Sequence, residues 1–550
     1  MAQTVAGILV EALEQIGVTH IFGLIGDSLN ALGDAVRRSK IQSVGVRHEE
    51  GGALAAAGQA KLTGRLGVCA GRTGHGSNHL VAGLYEACRD HAPVLALSGD
   101  MPRKFHGTDY FQTSEPDLLF RDVSLFTQTI LAPDQAPAII HQAIAAAYAG
   151  RGVAHLTLPQ DVLVSKASSK VPSLATLRPK EEFPASEQDI AEIAQRIDAA
   201  ETVAIMCGNG CHGAAEELVA LSDRLKAPLI HTVKGKDIMP YDHPRWMGGI
   251  GMIGTRPNYL AAQRCDVLLM LGTDYPYSNF LPDKGSAIQI DERAEVLGRR
   301  APTAFAAAGS IKPSVKLLLN KVAEKQDNSF FERVSRERRE WDEKLDRQAG
   351  LSRSADRIHP QAVARTVGEL AAKDAIFVLD TGLNTLWSAN YIRQSGSQRI
   401  IGSFNNGAVG TAVGQANGIQ ALDKSRQVIA LCGDGGFNML MSEFLTATHH
   451  KLPVKVIVYD NSAFGYKGID FPNPDYVGLA QACGGHGFKA QKPEELEPAI
   501  REALKTDGPA IVDAVVVANE IPNIPDLELE LPENYAMAKV KEAVLAFTGG

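Results

Sequence analysis

The chain has 550 residues, too many for a single hydrophobic core, so two to four domains are expected. Hydrophobic residues make up 45% and charged residues 21%, with 52 Gly and 27 Pro, which is typical of a globular protein rich in tight turns. The net charge of −8 is spread along the chain without a basic stripe. This distribution argues against nucleic acid as a partner.

Cysteine usage and hydropathy indicate a cytoplasmic protein. The seven cysteines are dispersed and form no CxxC pair, which is typical of free thiols in a reducing compartment. The first residues lack a charged segment followed by an apolar one, so no signal peptide is indicated. No stretch approaches ~18 uninterrupted apolar residues, and neither a membrane span nor a stable membrane anchor is expected.

Three blocks alternate strand-like and helix-like patterns, which predicts an α/β fold of parallel sheets flanked by helices. A polar, Pro-containing stretch, 165–184, is interpreted as a linker. A highly charged segment, 324–347, is expected to form a solvated helix that leads out of the middle block. The predicted domains are 1–165, 185–323 and 355–530, with a tail of 531–550.

The third block carries the strongest motif. An apolar strand, 427–432, runs directly into Gly433-Asp434-Gly435-Gly436, and the next strand, 454–459, runs into Asp460-Asn461. In a parallel βαβ unit both motifs lie at the same edge of the sheet, where ligands collect. A helix is predicted between them at 437–449.

These residue types suit a magnesium ion and a diphosphate. Asp434 offers a carboxylate oxygen, Asn461 an amide oxygen and Ala463 a loop carbonyl, and Mg²⁺ prefers few protein oxygens of this kind. Gly435 and Gly436 let backbone N–H groups approach phosphate at a helix N-terminus. Alternatively, the motif is a tight turn with Asp434 as an N-cap, an interpretation that the strand-end Asn disfavours.

The Gly-Asp-Gly motif followed by a strand-end Asn resembles the cofactor signature of thiamine diphosphate (ThDP) enzymes. Within that family the chain looks most like pyruvate oxidases, including the quinone-reducing pyruvate dehydrogenases. The resemblance covers almost the whole chain and implies a pyrimidine-binding domain, a middle domain of the FAD or nucleotide type and a pyrophosphate-binding domain, in that order. It extends to Ile25-Gly26-Asp27-Ser28-Leu29-Asn30 and Gly402-Ser403-Phe404-Asn405.

The resemblance also implies three catalytic residues, Glu49, Phe111 and Gln112, and a departure from it adds His75 as a fourth candidate. Glu49, after Val46-Arg47-His48, would hydrogen-bond the aminopyrimidine ring of the cofactor, although a helix-start Glu is also favoured by the helix dipole. Phe111 and Gln112 resemble substrate-pocket residues, or they merely pack. His75 stands where relatives have Pro in a G-P-G turn and would add a hydrogen-bonding or titrating group, unless it is an exposed loop residue.

Further cofactor contacts are implied by position in the third block. Val409 would hold the two rings of the cofactor in a bent V, and the Gly407 carbonyl would accept from its amino group. The turn beginning at Asp380 would touch the diphosphate, or is a plain turn. After Tyr466 the chain is shorter than in pyruvate oxidases, in a segment that covers the substrate there. The implied ThDP residues are Gly382, Leu383, Asn384, Gly407, Val409, Gly433, Asp434, Gly435, Gly436, Asn461, Gly465 and Tyr466.

The middle block contains a GxGxxG sequence, 208–213, directly after a predicted strand. This motif alone is weak evidence, but the resemblance to flavin-bearing relatives implies FAD, with Asp291 placed to accept from a ribose hydroxyl. The implied FAD residues are Gly208, Gly210, Gly213, Gly251, Gly272, Thr273, Asp274 and Asp291.

The resemblance implies ThDP- and Mg²⁺-dependent decarboxylation of a 2-keto acid, with pyruvate expected, and oxidation through FAD to acetate or acetyl phosphate. The alternatives are a non-oxidative carboligase resembling acetolactate synthase, a simple decarboxylase, a non-catalytic nucleotide-binding protein and an NAD-linked dehydrogenase. Family members build each cofactor site from two subunits, which implies a homodimer or homotetramer.

Overall fold

The computed structural model describes residues 3–168, 172–174, 177, 182–282, 285–462, 472–518, 520 and 522. Three six-stranded sheets, each parallel throughout and flanked by helices, follow one another along the chain. The predicted α/β class is therefore confirmed. We refer to each sheet with its helices as the N-terminal, middle and C-terminal domain.

The N-terminal domain has the strand order β3-β2-β4-β5-β7-β6. Its strands are β1 (Gln3–Thr4), β2 (His20–Gly23), β3 (Gln42–Gly45), β4 (Gly67–Gly71), β5 (Val94–Asp100), β6 (Phe126–Thr129), β7 (Val153–Pro159) and β8 (Lys166–Ala167). Its helices are α1 (Val5–Gln15), α2 (Asn30–Arg37), α3 (Glu49–Thr63), α4 (His75–Arg89), α5 (Pro116–Leu119), α6 (Ala136–Ala149) and α7 (Gln160–Leu163). The short strand β8 pairs antiparallel with β1. The predicted linker 165–184 thus contains a short strand near its beginning. There the backbone groups of Lys166 and Ala167 pair with those of Gln3 and Thr4.

The middle domain has the order β11-β10-β9-β12-β13-β14, the order of doubly wound nucleotide-binding sheets. Its strands are β9 (Val203–Cys207), β10 (Leu229–His231), β11 (Trp246–Gly249), β12 (Val267–Leu271), β13 (Ala287–Asp291) and β14 (Thr303–Ala308). Its helices are α8 (Glu187–Ala199), α9 (Ala215–Leu225), α10 (Arg256–Arg264) and α11 (Ile311–Leu319). In such a sheet the ligand crevice opens between the two central strands, here β9 and β12.

A long helix, α12 (Ser329–Ala349), leads to the C-terminal domain. The prediction of a solvated helix is wrong in part, because Phe330, Val334 and Leu345 are buried. Arg338 is buried as well, with its guanidinium paired to Asp342. The many charged residues of α12 made its apolar stripe hard to recognise in the sequence. This stripe packs against both neighbouring domains.

The C-terminal domain has the order β16-β15-β17-β18-β20-β19, which repeats the connectivity of the N-terminal sheet. Its strands are β15 (Ile376–Leu379), β16 (Arg399–Gly402), β17 (Val428–Gly433), β18 (Lys455–Asp460), β19 (His486–Ala490) and β20 (Ala510–Val515). Its helices are α13 (Pro360–Leu370), α14 (Leu383–Tyr391), α15 (Ala412–Leu422), α16 (Asp434–Met439), α17 (Glu443–His449), α18 (Tyr476–Ala482) and α19 (Pro493–Lys505). The helix predicted at 437–449 is two helices, and the first begins at Asp434 itself.

The N-terminal and C-terminal domains pack through α3 and α15, and one core cluster contains residues of both. A β-carbon at Gly418 would lie 2.0 Å from the Ala55 carbonyl oxygen, and one at Gly58 would lie 2.6 Å from that of Gln415. The two backbones are thus in direct contact. This close approach accounts for the Gly- and Ala-rich composition of both helices.

Two further expectations concern the thiols and the membrane. All seven cysteines are free, and five of them are buried. Within the ranges that the structure describes, no helix is both long and apolar enough to cross a membrane.

Candidate active site

The C-terminal sheet reverses its strand order between β15 and β17, where parallel sheets open a ligand crevice. Asn384 bridges the two strand ends, because its side-chain Nδ2 donates to the carbonyls of Asp380 (2.8 Å) and Leu431 (2.9 Å). Gly382, with φ of 145°, precedes α14, and the Leu383 side chain packs into the core. The predicted diphosphate turn therefore lies beside Gly433 at the end of β17.

Asp380 is fully buried at this crevice and holds the loop that carries Val409. Its carboxylate accepts from the backbone N–H of Gly410 (2.9 Å) and of Thr411 (3.1 Å). A β-carbon at Gly436 would lie 2.2 Å from Asp380 Oδ2 and 3.2 Å from Val409 Cγ1. The structure thus brings Val409 and Gly436 together, and burial raises the pKa of Asp380 to about 7.

The other end of this loop is held by the N-terminal domain. Ser403 Oγ donates to Glu86 Oε2 (2.5 Å) and accepts from the Ala408 N–H (2.9 Å). A β-carbon at Gly407 would meet no atom within 4 Å, so the space beside this predicted cofactor contact is open.

Glu86 belongs to a buried ion network, which contains Lys61, Glu86, Asp90 and Lys234. Lys61 pairs with Glu86 and, at 2.6 Å, with Asp90, and Lys234 of the middle domain pairs with Asp90 at 3.0 Å. Burial opposes the charge of Lys61, but Asp90 and Glu86 outweigh it and raise the pKa of the amine. The network ties all three domains together at the loop.

The predicted metal site contains two carboxylates that share one amide. Asn473 Nδ2 donates to Asp434 Oδ2 (2.8 Å) and to Asp460 Oδ1 (2.7 Å). Burial, reinforced by the charge of Asp460, raises the pKa of Asp434. Two buried carboxylates around one electropositive group form an oxygen donor set that fits Mg²⁺. Asn461 directly follows at the end of β18, whereas Ala463, Gly465 and Tyr466 lie outside the described residues.

Glu49 begins α3 and is only 3% exposed. Its Oε2 lies 2.9 Å from His79 Nδ1, and the His79 ring stacks on His48 at 4.3 Å between centroids. The backbone N–H groups of Arg47 and His48 donate to Glu443 of the C-terminal domain. Among the described residues, no hydrogen bond or ion pair connects Glu49 with the Asp434 cluster.

The other predicted catalytic residues lie beside Glu49. A β-carbon at Gly76 would lie 2.8 Å from Glu49 Oε1, and His75 precedes this glycine as the first residue of α4. A β-carbon at Gly74 would lie 2.8 Å from the Gln112 carbonyl oxygen. Phe111 is 77% exposed on the same loop. The structure thus places Glu49, His75 and Gln112 around one turn, with Phe111 on its rim.

A cavity of about 960 Å³ joins the middle domain to the loop that carries Val409. Its volume lies within the range of ~300–1,000 Å³ that cofactor sites occupy. Gly382 and Gly407 line one end, and Asp274 is held at the other by Arg299 and by Arg300 (3.0 Å). The predicted FAD residues that line it are Gly210, Gly272, Thr273, Asp274 and Asp291. Small residues and a strand-end carboxylate fit a dinucleotide.

Three predicted FAD glycines do not line this cavity. A β-carbon at Gly208 would lie 2.3 Å from the Gly272 carbonyl oxygen, and one at Gly251 would lie 1.7 Å from the Tyr275 hydroxyl oxygen. Gly213, with φ of 83°, forms a turn with open space beside it. Gly208 and Gly251 thus permit close packing of the cavity wall.

Comparison with known proteins identifies the family of the chain. Three family models match in order: the thiamine pyrophosphate enzyme N-terminal TPP binding domain (3–118), the central domain (190–318) and the C-terminal TPP binding domain (380–514). The chain is 36% identical to the protein YdaP of Bacillus subtilis (strain 168), across 95% of this chain and 93% of that protein. The chain belongs to the thiamine pyrophosphate enzyme family.

Named enzymes are among the relatives of this thiamine pyrophosphate enzyme. A pyruvate oxidase of Lactiplantibacillus plantarum (strain ATCC BAA-793 / NCIMB 8826 / WCFS1) is 30% identical across 93% of this chain and 88% of its own. The acetolactate synthase isozyme 2 large subunit of Escherichia coli (strain K12) is 27% identical across 94% and 96%. The family likeness of the whole chain, including the resemblance to pyruvate oxidase, is thus confirmed.

Several residues of the candidate site were missed by sequence reasoning. His79 lies one helical turn after His75, a spacing that could have identified it once α4 was placed. Asp460 precedes the predicted ligand Asn461, and a strand-end pair of oxygen donors was a usable signal. Asn473 and Glu86 reach the site only through tertiary contacts, and no local pattern marks them.

Proposed function

We propose that this thiamine pyrophosphate enzyme decarboxylates a 2-keto acid, pyruvate, with ThDP and Mg²⁺, and oxidises the product through FAD to acetate or acetyl phosphate. The observation that carries the oxidative part is the cavity that runs from the predicted flavin residues Thr273 and Asp274 to Gly382 and Gly407. A flavin in this cavity would adjoin the loop that carries Val409. The pyruvate oxidase relative supports the same assignment.

Each group of residues has one task in this proposal. Asp434 and Asn461 would hold Mg²⁺, and the small Gly435 and Gly436 would let the backbone approach the diphosphate. The Glu49 carboxylate would accept a hydrogen bond from the pyrimidine ring and would favour its protonated form. When bound, ThDP supplies the electron sink for loss of CO₂, and FAD takes up two electrons.

The proposed site requires two copies of the chain. Glu49 and Asp434 lie in different domains, and among the described residues no hydrogen bond or ion pair connects them. Exposed apolar side chains occur in both domains: Phe111 and Leu118 in the N-terminal domain, and Met439 and Met441 in the C-terminal domain. Such patches are typical of protein–protein interfaces. We therefore infer a homodimer or a homotetramer in which each site uses two subunits.

Replacing Glu49 by Gln tests the role of ThDP. The amide cannot favour the protonated ring, and turnover of pyruvate should fall by at least ~100-fold while the fold is retained. Glu50→Gln, at the adjacent glutamate, is the matched control and should stay close to wild type. Near-normal turnover of Glu49→Gln would contradict the assignment.

An anaerobic visible spectrum tests the oxidative step. The protein reconstituted with FAD, ThDP and Mg²⁺ should show flavin absorbance that bleaches when pyruvate is added. If CO₂ is released while the flavin stays oxidised, the enzyme is a carboligase or a simple decarboxylase. Of these two, the acetolactate synthase relatives favour the carboligase.

A further inference from the structure

Arg72 lies in the same turn as the candidate catalytic residues. It follows β4 directly, and a β-carbon at Gly76 would lie 2.7 Å from Arg72 Cγ and 2.8 Å from Glu49 Oε1. A β-carbon at Gly26 would lie 2.8 Å from Arg72 Cδ. The guanidinium is thus carried on a stem packed between two glycines, next to the buried Glu49.

Among the residues that the structure describes, no acidic side chain neutralises the charge of Arg72. Its side chain is exposed, and its one hydrogen-bond partner among the described residues is His75, whose Nε2 lies 2.7 Å from the guanidinium. Because Arg can only donate, His75 Nε2 is the acceptor of this hydrogen bond. Within the described ranges no carboxylate, including those of Glu49 and Asp27, forms an ion pair with Arg72. The guanidinium keeps several donors available.

A guanidinium beside a decarboxylation site does not suit the carboxylate that leaves. That carboxylate loses its charge as CO₂ forms, so a cation bound to it would stabilise the ground state more than the transition state. An oxyanion that keeps its charge throughout the reaction suffers no such loss. Planar guanidinium donors match carboxylate and phosphate oxygens well.

We propose that Arg72, oriented by His75, binds an oxyanion of a reactant other than the carboxylate that leaves as CO₂. This inference rests on the proposed function and adds a specificity-determining residue to it. Two reactants carry such a group: a 2-keto acid with a second carboxylate at its far end, and inorganic phosphate as the acceptor of the acyl group. Gln112, on the other side of the turn, would border the same subsite.

The test compares Arg72→Gln with Arg65→Gln in the cofactor-loaded enzyme. Arg65 is an exposed arginine between α3 and β4, and its replacement controls for the loss of one surface charge. In one arm, kcat and KM are measured for 2-ketoglutarate and oxaloacetate against pyruvate. In the other, pyruvate turnover and heat of binding are measured as inorganic phosphate is titrated. Arg72→Lys shows whether a charge without the planar fork suffices.

We expect Arg72→Gln to raise the KM for the dicarboxylates, or the half-saturating phosphate concentration, by at least about tenfold. The KM for pyruvate in the absence of phosphate should change by less than about twofold. Whichever arm responds identifies the source of the oxyanion. Arg65→Gln should match the wild type in both arms.

The proposal is overturned if neither arm distinguishes Arg72→Gln from Arg65→Gln, or if the wild type responds to neither anion. A rise in the KM for pyruvate itself would place Arg72 on the leaving carboxylate and also overturn it. Failure of the proposed function looks different, since Glu49→Gln would then keep its turnover. In that case the heat of phosphate binding still reports on Arg72 alone.

Discussion

Asp380 shows how a single buried carboxylate makes the site sensitive to pH. Burial raises its pKa to about 7, whereas an unfolded chain returns it to the ordinary value of 3.8. Between these values the folded protein keeps a proton that the unfolded chain releases. The contribution of Asp380 to the free energy of unfolding is therefore largest below the unfolded pKa and is lost as the pH rises through about 7.

Asp380→Asn should remove this dependence in the cofactor-free protein. Relative to the variant, the wild type should lose stability as the pH rises from 4 to 7, and the difference should then level off. Thermal unfolding midpoints of both proteins across this range give the measurement. Asp374→Asn, an exposed acid before the same strand, should keep the wild-type profile. A pH-independent difference for Asp380→Asn would contradict the interpretation.

At the level of elements, the loop 403–410 is held at both ends by carboxylates of different domains. Ser403 connects one end to Glu86, and Asp380 binds the other end through Gly410. The position of Val409 therefore depends on two side chains outside the loop, those of Glu86 and Asp380.

Ser403→Ala should loosen this loop and weaken ThDP binding. The change removes the hydroxyl that joins Glu86 to the Ala408 N–H, at a cost of about 1–3 kcal/mol in the free energy of unfolding. Calorimetric titration should show a higher dissociation constant for ThDP with Mg²⁺. Ser397→Ala, an exposed serine before β16, is the control. Equal affinities of the two variants would show that Ser403 does not position the loop.

The packing of α3 against α15 also depends on a small residue, Gly418. Gly418→Ala would place a methyl group 2.0 Å from the Ala55 carbonyl oxygen, so the helices must separate, at a cost of about 1–3 kcal/mol. The thermal midpoint should fall. Gly350→Ala, where the nearest atom would lie at 3.6 Å, should leave it nearly unchanged. A Gly418→Ala protein as stable as the Gly350→Ala control would refute the described contact.

At the scale of the whole molecule, complementation tests the shared site. Glu49→Gln and Asp434→Asn should each be inactive alone. In a hybrid dimer one of the two sites receives both intact residues, so statistical mixing should restore about a quarter of wild-type activity. Mixtures of either variant with itself after the same unfolding and refolding are the control. No recovery in a proven hybrid would place Glu49 and Asp434 of one chain in the same site.

Local patterns in the sequence predicted much of this molecule. The apolar runs that end in Gly433-Asp434 and Asp460-Asn461 predicted two adjacent strands. In a parallel sheet the carboxyl ends of such strands lie at the same edge, so the two motifs were expected to be close together. Such local patterns do not predict contacts between segments that are far apart in the sequence. Ser403 and Glu86 are 317 residues apart, and nothing near either indicates the other. The apolar stripe of α12 was missed because Lys, Arg and Glu dominate its composition.

The N-terminal and C-terminal sheets share one strand order but carry different residues at equivalent positions. Glu49 is the first residue of α3, and the first residue of α15, its counterpart, is Ala412. Asp434 follows β17, and the residue after the counterpart strand β4 is Arg72. Each sheet thus carries an acid where the other lacks one. Neither domain therefore presents both carboxylates at equivalent positions, and only an N-terminal domain together with a C-terminal domain supplies the two acids that the proposed site needs.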